Sequence, residues 1–66
     1  MVQIIVNGTP ETVSVCSIAE LVIQKGLRTE ALVIEWNRQI LKQEEWPFIQ
    51  LQEQDQLELL QFVGGG

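Results

Sequence analysis

Val2-Gln3-Ile4-Ile5-Val6-Asn7-Gly8-Thr9-Pro10-Glu11-Thr12-Val13-Ser14-Val15-Cys16-Ser17-Ile18-Ala19-Glu20 carries a hairpin signal followed at once by a helix signal. Val2 to Val6 is a short β-branched run, and Asn7-Gly8 tolerates the positive φ that tight hairpin turns demand. The return strand is expected from Glu11 to Val15, where Val13 and Val15 alternate with Thr12 and Ser14 and share a face. Pro10 falls in the turn or at the first strand position, where a missing N–H does least harm. Ser17-x-x-Glu20 has the spacing of a capping box, in which the serine oxygen and the glutamate side chain satisfy backbone N–H groups at a helix start. Ile18, Leu21 and Val22 then recur at i, i+3 and i+4, Lys25 suits the last turn, and Gly26 offers a stop.

Working outward, Ala31 to Trp36 reads as a strand with Leu32, Ile34 and Trp36 on one face and Val33 and Glu35 on the other. Asn37-Arg38-Gln39 turns it into a second apolar piece, Ile40-Leu41. Pro47 disfavours helix at Trp46, so one helical turn at most is expected between Lys42 and Trp46. Phe48 to Leu51 is a short strand or extended anchor, Gln52 to Asp55 a polar turn, and Leu57 to Phe62 the last strand. The order β-β-α-β-β predicts an α+β domain: a mixed sheet of four to five strands with one helix packed across one face. Residues 1–62 form that domain, and 63–66 form a glycine tail.

Composition narrows the function. The chain has 66 residues, 45% apolar and 20% charged, which supports one core and excludes a two-domain enzyme. A single cysteine, Cys16, forms no internal bridge and fits a reducing compartment. No basic, then apolar, leader opens the sequence, and no apolar run approaches the roughly 20 residues that cross a bilayer. A cytoplasmic protein is expected. The net charge of −5 disfavours nucleic acid and anionic membranes and favours a basic partner. With no histidine, no tyrosine and one thiol, neither a metal site nor a catalytic triad is expected. The protein reads as no enzyme.

Gly64-Gly65-Gly66 is the feature that carries chemistry. Three glycines lose the most backbone entropy on ordering and bring no side chain to bury, so the tail is expected to be mobile and exposed. It is slim enough to thread a narrow channel and deliver the main-chain carboxyl to a nucleotide. ATP converts such a carboxylate to an acyl-adenylate that sulfur or nitrogen nucleophiles attack. The bland alternative is a frayed terminus.

The order of elements, the size, and the ending Asp55-Gln56-Leu57-Glu58-Leu59-Leu60-Gln61-Phe62-Val63-Gly64-Gly65-Gly66 resemble the ubiquitin-like β-grasp sulfur carriers, most closely the ThiS family of thiazole biosynthesis. Val33-Ile34-Glu35-Trp36-Asn37 followed by Glu44-Glu45-Trp46 is similar to that family's strand ending in Asn, short turn and acidic-Trp pair. Where the family usually has Gly-Asp before the last strand, this chain has Gln54-Asp55. The resemblance implies that a ThiF-type adenylyltransferase adenylylates Gly66. A sulfur-relay protein carrying a persulfide then replaces AMP with sulfur, and thiazole synthase accepts sulfur from the resulting thiocarboxylate. No cofactor is bound permanently; ATP and a sulfur donor are used by the activating partner. Gly65 and Gly64 supply the slim approach, and Val63 with Phe62 fix where the arm leaves the body. Molybdopterin synthesis, or a ubiquitin-like modifier joined to lysines, are the alternatives the same tail permits.

The remaining conspicuous residues read as structural. Cys16 is expected to be a small buried thiol, Trp36 and Trp46 packing anchors, and Glu44-Glu45 a solvated turn. If Ile4 and Val6 face the core with Leu57 and Leu59, then Ile5, Val33, Leu60 and Phe62 lie on the opposite sheet face. Apolar residues grouped there would mark a partner-binding surface.

Overall fold

The computed structural model describes residues 1–62. Strands β1 (Val2–Val6) and β2 (Thr9–Val13) form the hairpin, followed by helix α1 (Ile18–Lys25), β3 (Leu32–Trp36), β4 (Gln39–Ile40), a 3-10 helix (Gln43–Phe48) and β5 (Gln56–Gln61). The five strands lie in the order β2-β1-β5-β3-β4. The last strand is therefore central. It runs parallel to β1 and antiparallel to β3, while the remaining pairs, β1 with β2 and β3 with β4, are antiparallel. The expected mixed sheet is present, and its parallel pair joins the first strand to the last rather than the strands flanking the helix.

β2 begins two residues earlier than expected, with Val6 opposite Thr9 and Ile5 opposite Pro10. Asn7 at φ 50° and Gly8 at φ 81° close the turn in two residues, so pairing resumes immediately. Pro10 is accommodated because β2 is an edge strand. Val15 consequently falls beyond the strand and is exposed instead of sharing a strand face with the half-buried Val13.

α1 starts and stops as its spacing predicts. Ser17 Oγ accepts from the Glu20 N–H at 3.1 Å, Glu20 Oε1 accepts from the Ser17 N–H at 2.9 Å, and Gly26 at φ 68° ends the helix. Ile18, Leu21 and Val22 point inward onto Ile4, Val6, Leu32, Ile34 and Leu57 from the sheet, with Cys16, Leu41, Trp46 and Leu51 completing the core. Each such aliphatic side chain contributes roughly 1.5–3 kcal/mol when fully buried.

The Lys42–Trp46 region departs from expectation: the 3-10 helix continues through Pro47 to Phe48. A 3-10 turn uses i→i+3 bonds, and its φ range includes the value proline fixes, so Pro47 costs one N–H and no clash. Glu45 is more than a solvated turn residue, because its Oε1 accepts the Lys42 N–H at 2.8 Å. Trp46 is buried as an anchor, with its indole N–H lacking a protein acceptor among the described residues. Beyond it, Ile49 accepts from the Ile18 N–H and Leu51 donates to Cys16, both at 2.9 Å. That segment is the extended-anchor alternative for Phe48–Leu51.

Candidate functional site

The site follows from what holds β5. On its β1 side, Asn7 N–H donates to the Leu57 carbonyl at 2.9 Å, and Asn7 Oδ1 accepts from the Leu59 N–H at 2.7 Å. Asn7 Nδ2 also donates to the Leu59 carbonyl at 3.3 Å. The side-chain amide thus continues the parallel ladder past the point where β1 turns away. On the β3 side, Asn37 at φ 47° repeats the device: its N–H donates to the Gln56 carbonyl at 2.8 Å, and its Oδ1 accepts the Gln56 N–H at 2.9 Å. Asparagine suits both turns because it adopts the left-handed conformation and still offers a peptide-like group.

Asp55 anchors the start of the same strand. Its buried carboxylate accepts from Trp36 Nε1 at 3.1 Å, Asn37 Nδ2 at 3.1 Å and the Gln52 N–H at 2.9 Å. What reads as a polar turn is therefore a knot that ties β3, the β3–β4 turn and β5 together. Gln54 beside it has φ 70°, and its N–H donates to the Gln3 carbonyl at 2.7 Å. The position where glycine was expected by resemblance does adopt a glycine-favouring conformation.

At its far end, β5 is held as far as the described chain goes. Gln61 lies opposite Leu32, and its Nε2 donates to the Arg28 carbonyl at 2.8 Å. Phe62 N–H donates to the Ala31 carbonyl at 2.8 Å while its side chain is exposed. Val63, Gly64, Gly65 and Gly66, the expected arm and its reactive end, lie outside the described residues. Against the helix side of this root is a groove of about 390 Å³, floored by Leu27, Leu32 and Leu59 and rimmed by the Lys25–Glu11 ion pair at 2.8 Å. Its only charged lining groups neutralise one another.

The outward sheet face carries the other expected site residues. Val33 is directly opposite Leu60, and Ile5 is opposite Gln56. Ile5 and Val33 are half-buried, whereas Leu60 and Phe62 are exposed. Along β5, Ile5's partner Gln56 and the Val33–Leu60 pair are separated by Glu58, which stands opposite Glu35. The apolar group is thus one cluster near the root and a separate residue beyond a pair of carboxylates. Strand period puts Glu35 on that face, but its pairing with Glu58 is a property of register alone.

Cys16 is buried between β2 and the helix cap. Burial pushes its thiol pKa up, and the Glu20 carboxylate adds to the shift. A thiol held protonated is a poor nucleophile. Among the described residues no group of three or more His, Cys, Asp or Glu could hold a metal ion, and no helix is long and apolar enough to cross a membrane.

Residues 3–66 match the model of the ThiS family. The crystal structure of a thiamine biosynthesis protein (ThiS) from Geobacter metallireducens is similar with a TM-score of 0.80 and 31% identity, over 97% of this chain and 99% of that one. A solution NMR structure of a thiamine biosynthesis protein from the same organism gives a TM-score of 0.81 and 29% identity, over 97% of this chain and 87% of that one. No curated protein matches the sequence significantly.

Proposed function

This chain belongs to the ThiS family, and on that premise we propose that it is a sulfur carrier in thiamin biosynthesis whose working group is the main-chain carboxyl of Gly66. The observation that carries the reading is the route of β5. The central strand is clamped on both sides by asparagine amides and bonded as far as Phe62, and the family match continues through Val63-Gly64-Gly65-Gly66. Rigid support up to residue 62 lets a partner locate the following residues from the sheet. Glycines without Cβ atoms then allow entry to a narrow channel.

In the cycle, a ThiF-type adenylyltransferase binds ATP, and the Gly66 carboxylate oxygen attacks the α-phosphorus, releasing pyrophosphate. The acyl-adenylate is then attacked by the persulfide of a sulfur-relay protein, AMP leaves, and reductive cleavage of the S–S bond by a thiol leaves the thiocarboxylate on Gly66. Thiazole synthase accepts that sulfur. Cys16 takes no part, and this chain supplies no acid, base or permanent cofactor. The adenylyltransferase and the carrier meet in the cytoplasm. Ile5, Val33 and Leu60, with Phe62 at the arm's root, contribute to the docking surface, because apolar side chains on an uncovered sheet face gain by being removed from water.

Intact-mass measurement after incubation with the adenylyltransferase, ATP and a sulfur donor tests the reading. The expected result is the gain of one sulfur in place of one oxygen, lost when Gly65 and Gly66 are removed although the melting temperature is unchanged. Supplying the loaded protein separately to thiazole synthase and to the large subunit of molybdopterin synthase should give turnover only with the former. Isopeptide-linked copies of the tail on lysines of other proteins, with no thiocarboxylate, would replace the carrier reading by a modifier.

A further inference from the structure

Glu35 on β3 and Glu58 on β5 are directly opposed in the antiparallel register. Opposed residues hold their Cβ atoms only about 4.5–5.5 Å apart, so like charges there destabilise a sheet. Nothing in the fold relieves this pair: among the described residues neither carboxylate has a hydrogen-bond or ion-pair partner, and the one ion pair joins Lys25 to Glu11. None of the four basic residues occupies a strand. Lys25 is on α1, Arg28 follows it, Arg38 is in the β3–β4 turn, and Lys42 precedes the 3-10 helix. Around the carboxylates, Ile40 lies opposite Glu35, Val33 and Leu60 are the next outward pair toward the arm, and Gln56 is the next outward residue of β5 on the other side.

We propose that this sheet face docks a partner surface on which an arginine is set among apolar residues, its guanidinium seated between Glu35 and Glu58. The inference rests on the carrier reading and specifies the chemistry of the adenylyltransferase surface that recognises the body. Charge complementarity selects the occupant. Two facing carboxylates flanked by Ile40, Val33 and Leu60 offer a planar, weakly hydrated guanidinium a hydrogen bond to each, whereas a compact, strongly hydrated ammonium reaches both less well and loses more on desolvation. The net charge of −5 adds long-range attraction to a basic partner. The unrelieved repulsion in the free carrier becomes attraction once the cation is seated, so the pair discriminates bound from free.

Calorimetric titration of the adenylyltransferase with wild-type carrier, E35Q/E58Q, and the off-face control E30Q/E44Q tests this. The two double variants lose equal charge. E35Q/E58Q should bind about tenfold or more weakly and with a flatter salt dependence, while the control changes by less than about threefold. The free E35Q/E58Q protein should melt at a higher temperature than wild type, which separates lost recognition from lost folding. Equal weakening by both double variants, or none, overturns the clamp. If wild type still gains its sulfur in that case, the carrier reading stands alone; if wild type is never loaded, that reading fails. Sedimentation showing a wild-type dimer that E35Q/E58Q dissociates would assign the face to a second copy and also overturn the proposal.

Discussion

At the scale of single residues, backbone conformation and burial decide more than side-chain reactivity. Gln54 sits at φ 70° with its backbone N–H bonded to Gln3, and its side chain makes only a long, exposed hydrogen bond, Nε2 to Glu53 at 3.5 Å. A left-handed non-glycine residue costs roughly 1–2 kcal/mol, and glycine returns part of that through its freer unfolded state. Gln54→Gly should therefore stabilise the fold by about 1 kcal/mol, read as a melting-temperature rise of roughly 4–8 °C for a domain of this size. Gln54→Val should lower it. Asn7 and Asn37 also have positive φ, yet each pairs its side chain with β5, so glycine there would lose bonds.

Cys16 allows a pH prediction. Its pKa is raised in the folded state from 9.0, by burial first and by Glu20 second. Above the ordinary thiol range the unfolded chain has released this proton while the native one retains it, so stability falls as pH rises. Urea melts at about pH 8 and 10 should show a larger loss for wild type than for Cys16→Ala. Sulfur loading of Cys16→Ala should remain at the wild-type level. A variant that folds but cannot be loaded would restore this thiol to the chemistry.

At the scale of elements, β5 is the strand on which the fold depends, because it is central and pairs with both β1 and β3. Its ladder to β1 is short, and Asn7 extends it by bonding Leu59 through both amide atoms. Asn7→Ala should cost about 2 kcal/mol, combining lost hydrogen bonds with a left-handed alanine. Asn7→Gly removes only the first of these. Hydrogen exchange at the Leu59 amide should accelerate in both variants, while denaturant midpoints distinguish them. For α1 the local signal sufficed: Ser17, Glu20 and Gly26 act within one helix, so spacing alone located both ends. The 3-10 helix was less legible, since proline is an obstacle to an α-helix and no obstacle to i→i+3 turns.

At the scale of the whole molecule, nine acidic residues face four basic ones, and the exposed Lys25–Glu11 bridge offsets little of that excess. Raising salt from very low to about 0.15 M should raise the melting temperature, because screening weakens net repulsion more than it weakens one surface pair. Differential scanning calorimetry over a sodium chloride series checks the sign. E35Q/E58Q should respond less steeply than wild type.

By itself the sequence determined the class of element at nearly every position, the helix ends, most of the core, and the family. These depend on period two, period 3.6, capping spacing and the Asp55–Gly66 ending, all read within a few residues of the chain. Only the tertiary structure decided that β5 is central, that Asn7 and Asn37 clip it, that Asp55 gathers Trp36 and Asn37, and that Glu35 meets Glu58. Those pairings join residues 18 or more positions apart. Their partners are chosen by strand order and register, which arise when separate apolar faces are buried together rather than from any local preference.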